Sequence, residues 1–371
     1  MGKRNEVMKR TIILGLVLAW IVAACGNPAP SSVVTAPVLT TGTALPATAI
    51  LLTPTQETSV SPVEFVRSIS SEPNAFDTPA DLAVDAQGKL YVLDAGNDRI
   101  QVFDPEGKFV RMWGKSGSGE GEFNFQRENG DAIGALTIDP QGNVYVADNA
   151  NQRIQKFDGQ GKFLMTWGSP GVKEGQFLSP IGITVDQQGN VYVIDDSRDE
   201  VQKFDMAGKF LLKWGGHGSG DGQFNYTGQI EADHQANIYV ADFANHRVQK
   251  FDSQGIFLAK WGSFGKEPGQ FNDPAGIGID SQGHIYVSEY AAHPPETFRI
   301  QIFDTLGNFL TTWGRPGNKD VEFIHPLAVA VDNQGNIYVS DETNRIQKFR
   351  LKEFRASIEQ ELGWKMSNIH R

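Results

Sequence analysis

Apolar and polar residues alternate in short runs along the chain, and these runs predict short β-strands separated by turns. One unit contains a D-x-x-G-N turn, the run Y-V-x-D, the run N-x-R-I-Q-K-F-D, a second Gly turn and the ending K-F-L-x-x-W-G. In turns such as 139–142 (DPQG) and 158–161 (DGQG), Asp starts the turn and Gly accepts a positive φ. The second strand, as in 143–148 (NVYVAD), is apolar on both sides, which indicates packing between two neighbouring sheets.

The unit recurs six times, about every 48 residues, which suits four short strands in each copy. Its tyrosine occurs in every copy, at Tyr91, Tyr145, Tyr192, Tyr239, Tyr286 and Tyr338. The W-G ending occurs five times, at Trp113, Trp167, Trp214, Trp261 and Trp313, because the sixth copy stops at Phe349. The run 64–69 (EFVRSI), ahead of the first copy, resembles the missing fourth strand. We therefore predict an all-β, six-bladed β-propeller over residues 63–350, closed by strand 64–69 in the last blade.

The phrases NANQRIQKFD (149–158) and NHRVQKFD (245–252), which follow YVAD in their copies, resemble NHL repeats. The likeness covers about residues 64–350, nearly the whole expected folded body. The resemblance implies a six-bladed propeller. It also implies a wide range of functions, because the family includes bacterial surface proteins, kinase sensor domains, RNA- or protein-binding modules and the zinc-dependent lyase that completes peptide amidation. The fold therefore leaves the function open.

The start of the chain is typical of an export signal. A basic start containing Lys3 and Arg4 precedes an apolar run, 12–24, that is too short for a membrane span of about 20 residues. The run ends in VAAC followed by Gly, which resembles the bacterial lipoprotein signal. The resemblance implies that Cys25, the only cysteine, is diacylated and holds the protein on a membrane. A conventionally cleaved or uncleaved signal is the alternative.

These features divide the chain into four parts. We predict a signal peptide over 1–24, a lipidated cysteine with a Pro-, Ala-, Thr- and Ser-rich tether over 25–62, the propeller over 63–350, and a tail over 351–371. The tail is predicted to be a short helix that contains Trp364. The protein would be exported and anchored to the outer face of the cytoplasmic membrane or to another envelope membrane.

Charge excludes one class of partner. The formal net charge is −11 and becomes −14 when residues 1–24 are removed. Such an acidic body is a poor nucleic-acid binder, because phosphate affinity depends on cationic patches. We expect a monomeric propeller with no nucleic-acid partner.

The loop after the second strand carries a carboxylate and an arginine in five of the six copies, and this repetition favours a structural ion pair. The third copy departs from the pattern, since Glu200 replaces the arginine beside three aspartates. The fourth and fifth copies add aromatic and histidine residues on the same predicted face. The hypothesised ligand-binding residues are Asp195, Asp196, Asp199, Glu200, His217, Phe243, His246, Tyr290 and His293.

Three interpretations of this patch are open. It is a solvated surface without a ligand, a recognition surface for a basic or sugar ligand, or a metal site. As a recognition surface, it would stack the rings of Phe243 and Tyr290 on the ligand, and its carboxylates would determine which ligand binds. Clustered carboxylates suit calcium, although the D-x-D-x-D-G spacing is absent, and His217, His246 and His293 suit zinc if their loops converge. The metal is therefore unknown, with calcium and zinc as the candidates.

The resemblance to the amidating lyase implies zinc-binding histidines near the start of the inner strands. At the matching positions only His325 lies nearby, so the expected histidine trio is missing. Asp81 and His325, from adjacent blades, would lie near the mouth of the central channel. We find no G-x-S-x-G elbow, no free cysteine nucleophile after lipidation and no H-E-x-x-H. The sequence favours a surface lipoprotein that binds a protein, peptide or envelope glycan through its longer loops. A metal-dependent lyase or hydrolase at the channel and a structural scaffold are the alternatives.

Overall fold

The computed structural model describes residues 61–69, 74–126, 130–294 and 296–352. The predicted signal peptide, Cys25, most of the tether and most of the tail with Trp364 lie outside these described residues. None of the helices in the described ranges is long and apolar enough to span a membrane.

Six antiparallel sheets of four strands form the six blades, as predicted. Strands β1 to β24 are numbered in chain order, and the strands of each blade are called a to d from the channel outward. Blade 1 contains β2 (Pro79–Val84), β3 (Leu90–Asp94), β4 (Arg99–Phe103) and β5 (Phe109–Trp113). Blade 2 contains β6 (Ala135–Ile138), β7 (Val144–Asp148), β8 (Arg153–Phe157) and β9 (Phe163–Trp167). Blade 3 contains β10 (Pro180–Val185), β11 (Val191–Asp195), β12 (Glu200–Phe204) and β13 (Phe210–Gly215). Blade 4 contains β14 (Thr227–Ala232), β15 (Ile238–Asp242), β16 (Arg247–Phe251) and β17 (Phe257–Trp261). Blade 5 contains β18 (Pro274–Ile279), β19 (Ile285–Glu289), β20 (Ile300–Phe303) and β21 (Phe309–Trp313). Blade 6 contains β22 (Pro326–Val331), β23 (Asn336–Asp341) and β24 (Arg345–Leu351), together with β1 (Val63–Ile69). Three short 3₁₀ helices follow strand b, at Ala95–Asn97, Asp196–Arg198 and Phe243–Asn245.

The ring closes through its first and last strands. β1 is the outer strand of blade 6 and pairs antiparallel with β24, from Val63 opposite Leu351 to Ile69 opposite Ile346. The predicted closure by strand 64–69 is therefore confirmed. Every blade therefore has four strands and a neighbouring blade on each side, so the ring contains no incomplete blade.

The repeated tyrosine and the turn aspartate form one buried unit in each blade. In blade 3, Asp186 accepts hydrogen bonds from the backbone amides of Gln188 and Asn190, and from the Tyr192 hydroxyl at 2.9 Å. The same tyrosine–aspartate hydrogen bond occurs in all six blades, at 2.9 to 3.3 Å. Each turn thus provides the partner that a buried tyrosine hydroxyl requires.

The repeated tryptophan packs one blade against the next. Trp214 of blade 3 lies edge-on to Tyr192 of its own blade, with ring centroids 6.1 Å apart, and 5.7 Å from Phe251 of blade 4. Its ring also covers Gly255 in the c–d turn of blade 4. Blade 6 ends in Ile69, whose side chain covers the equivalent Gly107 of blade 1. In blade 6, Ile69 thus takes the place that the tryptophan has in the other five blades.

Two faces result from this topology. The a–b and c–d turns lie on one side of the ring, which we call the tight-turn face. The b–c loops and the connectors from strand d to the next strand a lie on the other side, which we call the long-loop face. Because β24 runs from the long-loop face to the tight-turn face, Leu351 and its partner Val63 lie on the tight-turn face.

Candidate functional site on the long-loop face

A carboxylate and an arginine hold the two ends of the b–c loop in five blades. The distances from the arginine Nε to the carboxylate are 2.6 Å for Arg99–Asp94, 2.8 Å for Arg153–Asp148, 2.6 Å for Arg247–Asp242, 2.6 Å for Arg299–Glu289 and 3.0 Å for Arg345–Asp341. The guanidinium groups also donate to backbone carbonyls of the preceding connector, as Arg247 does to Ser219, Gly220 and Gln223. These pairs therefore fasten the connectors and have a structural role.

Glu200 occupies the arginine position of blade 3, and two nearby cations balance it. Its carboxylate oxygens lie 2.8 Å from Nη1 of Arg198 and 3.0 Å from Nζ of Lys213. Asp195, the carboxylate at the other end of the loop, accepts hydrogen bonds from two connector amides, both at 2.8 Å. Burial raises the pKa of Asp195. Blade 3 thus keeps the carboxylate at the start of the loop and has a second carboxylate at the arginine position, which pairs with Arg198 and Lys213.

One residue of each b–c loop in blades 1 to 4 and 6 has a left-handed backbone conformation and contacts the next blade. Asp199, with φ of 50°, accepts a hydrogen bond from the Tyr226 amide at 3.1 Å, and His246, with φ of 52°, accepts one from the Asp273 amide at 3.3 Å. The equivalent contacts are Asp98 with the Phe125 amide, Gln152 with the Leu178 carbonyl and Asn344 with the Thr78 amide. Asp199 and His246 therefore link blades in addition to any role in binding.

A cavity of about 650 Å³ opens on the long-loop face between blades 2, 3 and 4, and we call it the loop-face cavity. It contains three of the nine predicted ligand-binding residues, Asp196, Asp199 and His217. Nδ1 of the exposed His217 lies 2.8 Å from Oδ2 of Asp199, and Asp196 accepts a hydrogen bond from the Thr227 amide at 3.1 Å. The other lining residues are Gln126, Asn149, Ala150, Gln152, Leu178, Ser179, Ser197 and Tyr226.

Sequence reasoning missed Tyr226, the aromatic residue of this cavity. It is 65% exposed and has a left-handed backbone, with φ of 48°. It stands just before strand a, where four other copies have Thr78, Ser179, Asp273 and His325. The available signal was therefore the variability of this position among the repeats.

Two of the predicted histidines meet on an aspartate that sequence reasoning also missed. The carboxylate of the buried Asp273 lies 3.3 Å from Nδ1 of His246 and 3.3 Å from Nδ1 of His293. Burial lowers the pKa of His246, and the ring of Phe264 packs 4.8 Å from it. His217 belongs to the loop-face cavity instead, so the three histidines do not form one group.

The predicted aromatic residues of blades 4 and 5 lie close together. The ring of Phe243 is 6.1 Å from that of Tyr290, which in turn is 4.5 Å from the His325 ring. His325 also packs 4.5 Å from Phe298, and its Nδ1 lies 2.7 Å from the Tyr290 carbonyl oxygen. His325, in the connector before β22, therefore packs against the extended b–c loop of blade 5.

Asp81 lies in the central channel, and none of the residues that contact it there is among those that contact His325. Its carboxylate accepts hydrogen bonds from the Leu82 and Leu136 amides, both at 2.8 Å, and from the side chain of Gln229. A channel cavity of about 130 Å³ is lined by Asp81, Gln229 and Glu231 among apolar residues. Burial raises the pKa of Asp81 to about 8 and that of Glu231 to about 7. The channel therefore contains two carboxyl groups whose pKa values lie well above the usual range.

Side chains that could bind a metal ion are dispersed over the described part of the propeller. Within the described ranges, no three His, Cys, Asp or Glu side chains are grouped so that they could hold a metal ion. The carboxylates of blade 3 instead pair with Arg198, Lys213, His217 and backbone amides.

Comparison with known proteins identifies the repeat. The NHL repeat family matches residues 76–103 and 134–157. Human NHL repeat-containing protein 3 is 32% identical over 113 residues, which are 29% of this chain and 30% of that protein. Mouse peptidyl-glycine alpha-amidating monooxygenase is 37% identical over 94 residues, which are 24% of this chain and 9% of that protein. The matched segments thus span less than a third of these relatives.

A solved structure of streptogramin B lyase has a similar fold. It is 13% identical, covers 77% of this chain and 97% of its own, and has a TM-score of 0.53. This likeness bears on the fold alone. The repeat match, the six tyrosine-centred blades and the closed ring agree with one another. This chain is therefore a six-bladed β-propeller that contains NHL repeats at residues 76–103 and 134–157.

Proposed function

We propose that the protein is an exported, lipid-anchored binding protein whose loop-face cavity holds an envelope glycan. The observation that carries the proposal is the size and position of this cavity. Its volume of about 650 Å³ lies within the range of ligand pockets, about 300–1,000 Å³, and it opens on the face that carries the longer loops.

The chemistry of the lining favours a sugar. Side-chain amides of Gln126, Asn149 and Gln152 offer both donors and acceptors, and Ser179 and Ser197 add hydroxyl groups. A glycan presents hydroxyl groups of both kinds around its rings. The exposed ring of Tyr226 supplies a flat apolar surface on which a sugar ring can stack.

The charge of the lining residues further limits the classes of ligand that can bind. Among the described residues that line the cavity, Asp196 and Asp199 are the charged groups besides His217, and none is a lysine or an arginine. An anionic ligand would meet these carboxylates without a compensating cation. We therefore propose a neutral or amino-bearing glycan, with a basic peptide as the alternative ligand.

The anchoring part of the proposal rests on the sequence before the propeller. The VAAC-G ending of the apolar run resembles a lipoprotein signal, and a Pro-, Ala-, Thr- and Ser-rich stretch separates Cys25 from β1. A diacylated cysteine provides two acyl chains, which are enough for stable membrane attachment. The propeller would then lie outside the cytoplasm, where envelope glycans occur.

Calorimetric titration of the full chain tests the binding. The probes are an N-acetylglucosamine trisaccharide and a hexalysine peptide. We expect the sugar to bind and Tyr226→Ala to weaken its affinity about tenfold, because aromatic contacts contribute about 1–1.5 kcal/mol. Phe264→Ala is the matched control, because Phe264 is a 51% exposed aromatic side chain outside the cavity lining. Binding of the peptide alone would favour the alternative ligand. Binding of neither probe, or equal losses in both variants, would contradict the proposal.

A further inference from the structure

Three consecutive blades carry exposed apolar side chains in their c–d turns. Met206 of blade 3 is 52% exposed, Ile256 of blade 4 is 61% exposed and Leu306 of blade 5 is 78% exposed. The turns of blades 1 and 2 have Pro105-Glu106 and Gly159-Gln160 instead, and no large apolar side chain there is strongly exposed. We call Met206, Ile256 and Leu306 the apolar rim. The rim is therefore confined to one side of the tight-turn face.

The apolar rim shares its face with the point where the tether enters. β1 begins at Val63, opposite Leu351 at the end of strand c of blade 6, and strand c always ends at a c–d turn position. The amide of Lys352 also donates to the Pro62 carbonyl at 3.0 Å. The tether from Cys25 thus joins the propeller on the tight-turn face, at the outer edge of blade 6.

The tight-turn face carries charges of both signs. Its c–d turns contain the acidic residues Asp104, Glu106, Asp158, Asp205, Asp252 and Asp304 and the basic residues Lys108, Lys162 and Lys209. The central residues of the six a–b turns are Ala86-Gln87, Pro140-Gln141, Gln187-Gln188, His234-Gln235, Ser281-Gln282 and Asn333-Gln334. None of them is acidic. The aspartates that start these turns accept hydrogen bonds from their own turns and from the buried tyrosines, as Asp233 does from Gln235, Asn237 and Tyr239.

The tether alone would not fix the orientation of the propeller. It contains 37 residues between Cys25 and Val63. If this stretch is the extended tether that its composition predicts, it would span about 35 Å on average and would let the propeller present any face to the membrane. A second contact is needed to keep one face outward.

We infer that the apolar rim inserts into the membrane interface and holds the long-loop face away from the lipid. This inference rests on the proposed anchoring through Cys25. The partner of the apolar rim is the lipid surface, because the rim lies on the same face as the point where the tether enters. Exposed apolar side chains at the tips of turns can also enter the boundary between headgroups and acyl chains. The loop-face cavity then opens away from the membrane.

Site-specific fluorescence on the acylated full chain tests the inference. Because Cys25 is the only cysteine and is blocked by acylation, Leu306→Cys introduces the only free thiol, which is labelled with a nitrobenzoxadiazole dye. The protein is bound to phosphatidylethanolamine–phosphatidylglycerol vesicles that contain a lipid with a spin-labelled acyl chain. The control is Gln160→Cys, in the exposed c–d turn of blade 2. We expect at least a twofold loss of emission at position 306 and little loss at position 160.

The outcomes separate the orientation from the anchor. Equal quenching at both positions, or none at position 306 in protein that floats with the vesicles, would overturn the inference alone. Emission from position 306 that is already blue-shifted before vesicles are added would place another segment of the chain on the rim and would also overturn it. A chain that neither carries the diacylglyceryl mass at Cys25 nor floats would refute the anchoring and this inference together.

Discussion

The carboxylate of Asp81 in blade 1 accepts a hydrogen bond from the side-chain amide of Gln229 in blade 4, across the central channel. The two blades face each other in the ring of six, and the two residues occupy the same position of strand a. The other four strands have small residues at this position, namely Ala135, Gly182, Gly276 and Ala328. Their lack of bulk leaves the space in which the two longer side chains meet.

The buried channel carboxyls should make stability depend on pH. Burial raises the pKa of Asp81 to about 8 and that of Glu231 to about 7, whereas the unfolded chain loses both protons near pH 4. Between these values the folded protein holds protons that the unfolded chain has released. The free energy of unfolding should therefore fall as pH rises from about 4 to 8, by up to about 1.4 kcal/mol per pH unit for each group, and then level off.

Urea unfolding between pH 5 and 9 measures this slope. Asp81→Asn should flatten it, because asparagine binds no proton in this range. Glu120→Gln, at an exposed position, is the control and should leave the slope unchanged. A slope that is the same in the Asp81→Asn variant and the original protein would show that Asp81 is ionised in the folded state.

The loop anchor of blade 3 should depend on Arg198 more than on Lys213. The Arg198–Glu200 pair is largely buried, with side-chain exposures of 12% and 11%, whereas Lys213 is 38% exposed. A double-mutant cycle with Arg198→Gln and Glu200→Gln should give a coupling energy of about 1–3 kcal/mol. The cycle with Lys213→Gln and Glu200→Gln should give less than about 1 kcal/mol. Equal coupling in the two cycles would contradict the assignment.

The packing of tryptophan on the next blade should make Gly255 hard to replace. Gly255 has φ of 77°, and an added Cβ would lie 2.6 Å from ring atoms of Trp214. Gly142 has φ of 83°, but an added Cβ there would meet nothing within 4 Å. Gly142→Ala should therefore cost only the backbone strain, about 1–2 kcal/mol, and Gly255→Ala a further 1–3 kcal/mol, roughly, from overpacking. Denaturant unfolding checks the difference, and equal losses would show that the indole moves aside freely.

Replacing Cys25 should release the protein from membranes. Cys25→Ser removes the thiol to which the proposed acyl chains would be attached, so the variant should move from the membrane pellet to the soluble fraction. Fractionation with immunodetection measures the shift, and Ser31→Ala in the tether is a control that keeps the cysteine. Unchanged membrane association would mean that another part of the chain, or a partner, holds the protein there.

The repeats made most of the fold predictable. Alternating strands, Asp–Gly turns and the missing sixth tryptophan led to six blades and to closure by strand 64–69, since each feature is local and occurs several times. The arginine–carboxylate pairs were predictable for the same reason. Glu200 was recognisable as an exception, but its new partners were not, because Lys213 lies on another strand and Arg198 on the 3₁₀ helix.

The candidate site was predictable only in part. Asp196, Asp199 and His217 deviate from the repeat and do line the loop-face cavity, but Gln126, Gln152 and Tyr226 come from different blades. Asp81 and Gln229 are 148 residues apart and meet only because the ring places their blades opposite each other. Such contacts depend on the closed geometry and leave no local pattern in the sequence.

The pairing of β1 with β24 also sets the order in which the protein can mature. Val63–Ile69 is among the first segments of the propeller to be synthesised, but its partner Arg345–Leu351 is among the last. Blades 1 to 5 contain only consecutive strands and can form as they emerge, whereas blade 6 must wait for almost the entire chain. The early strand therefore remains without its partner during synthesis, and the ring closes only when almost all of the propeller has been made.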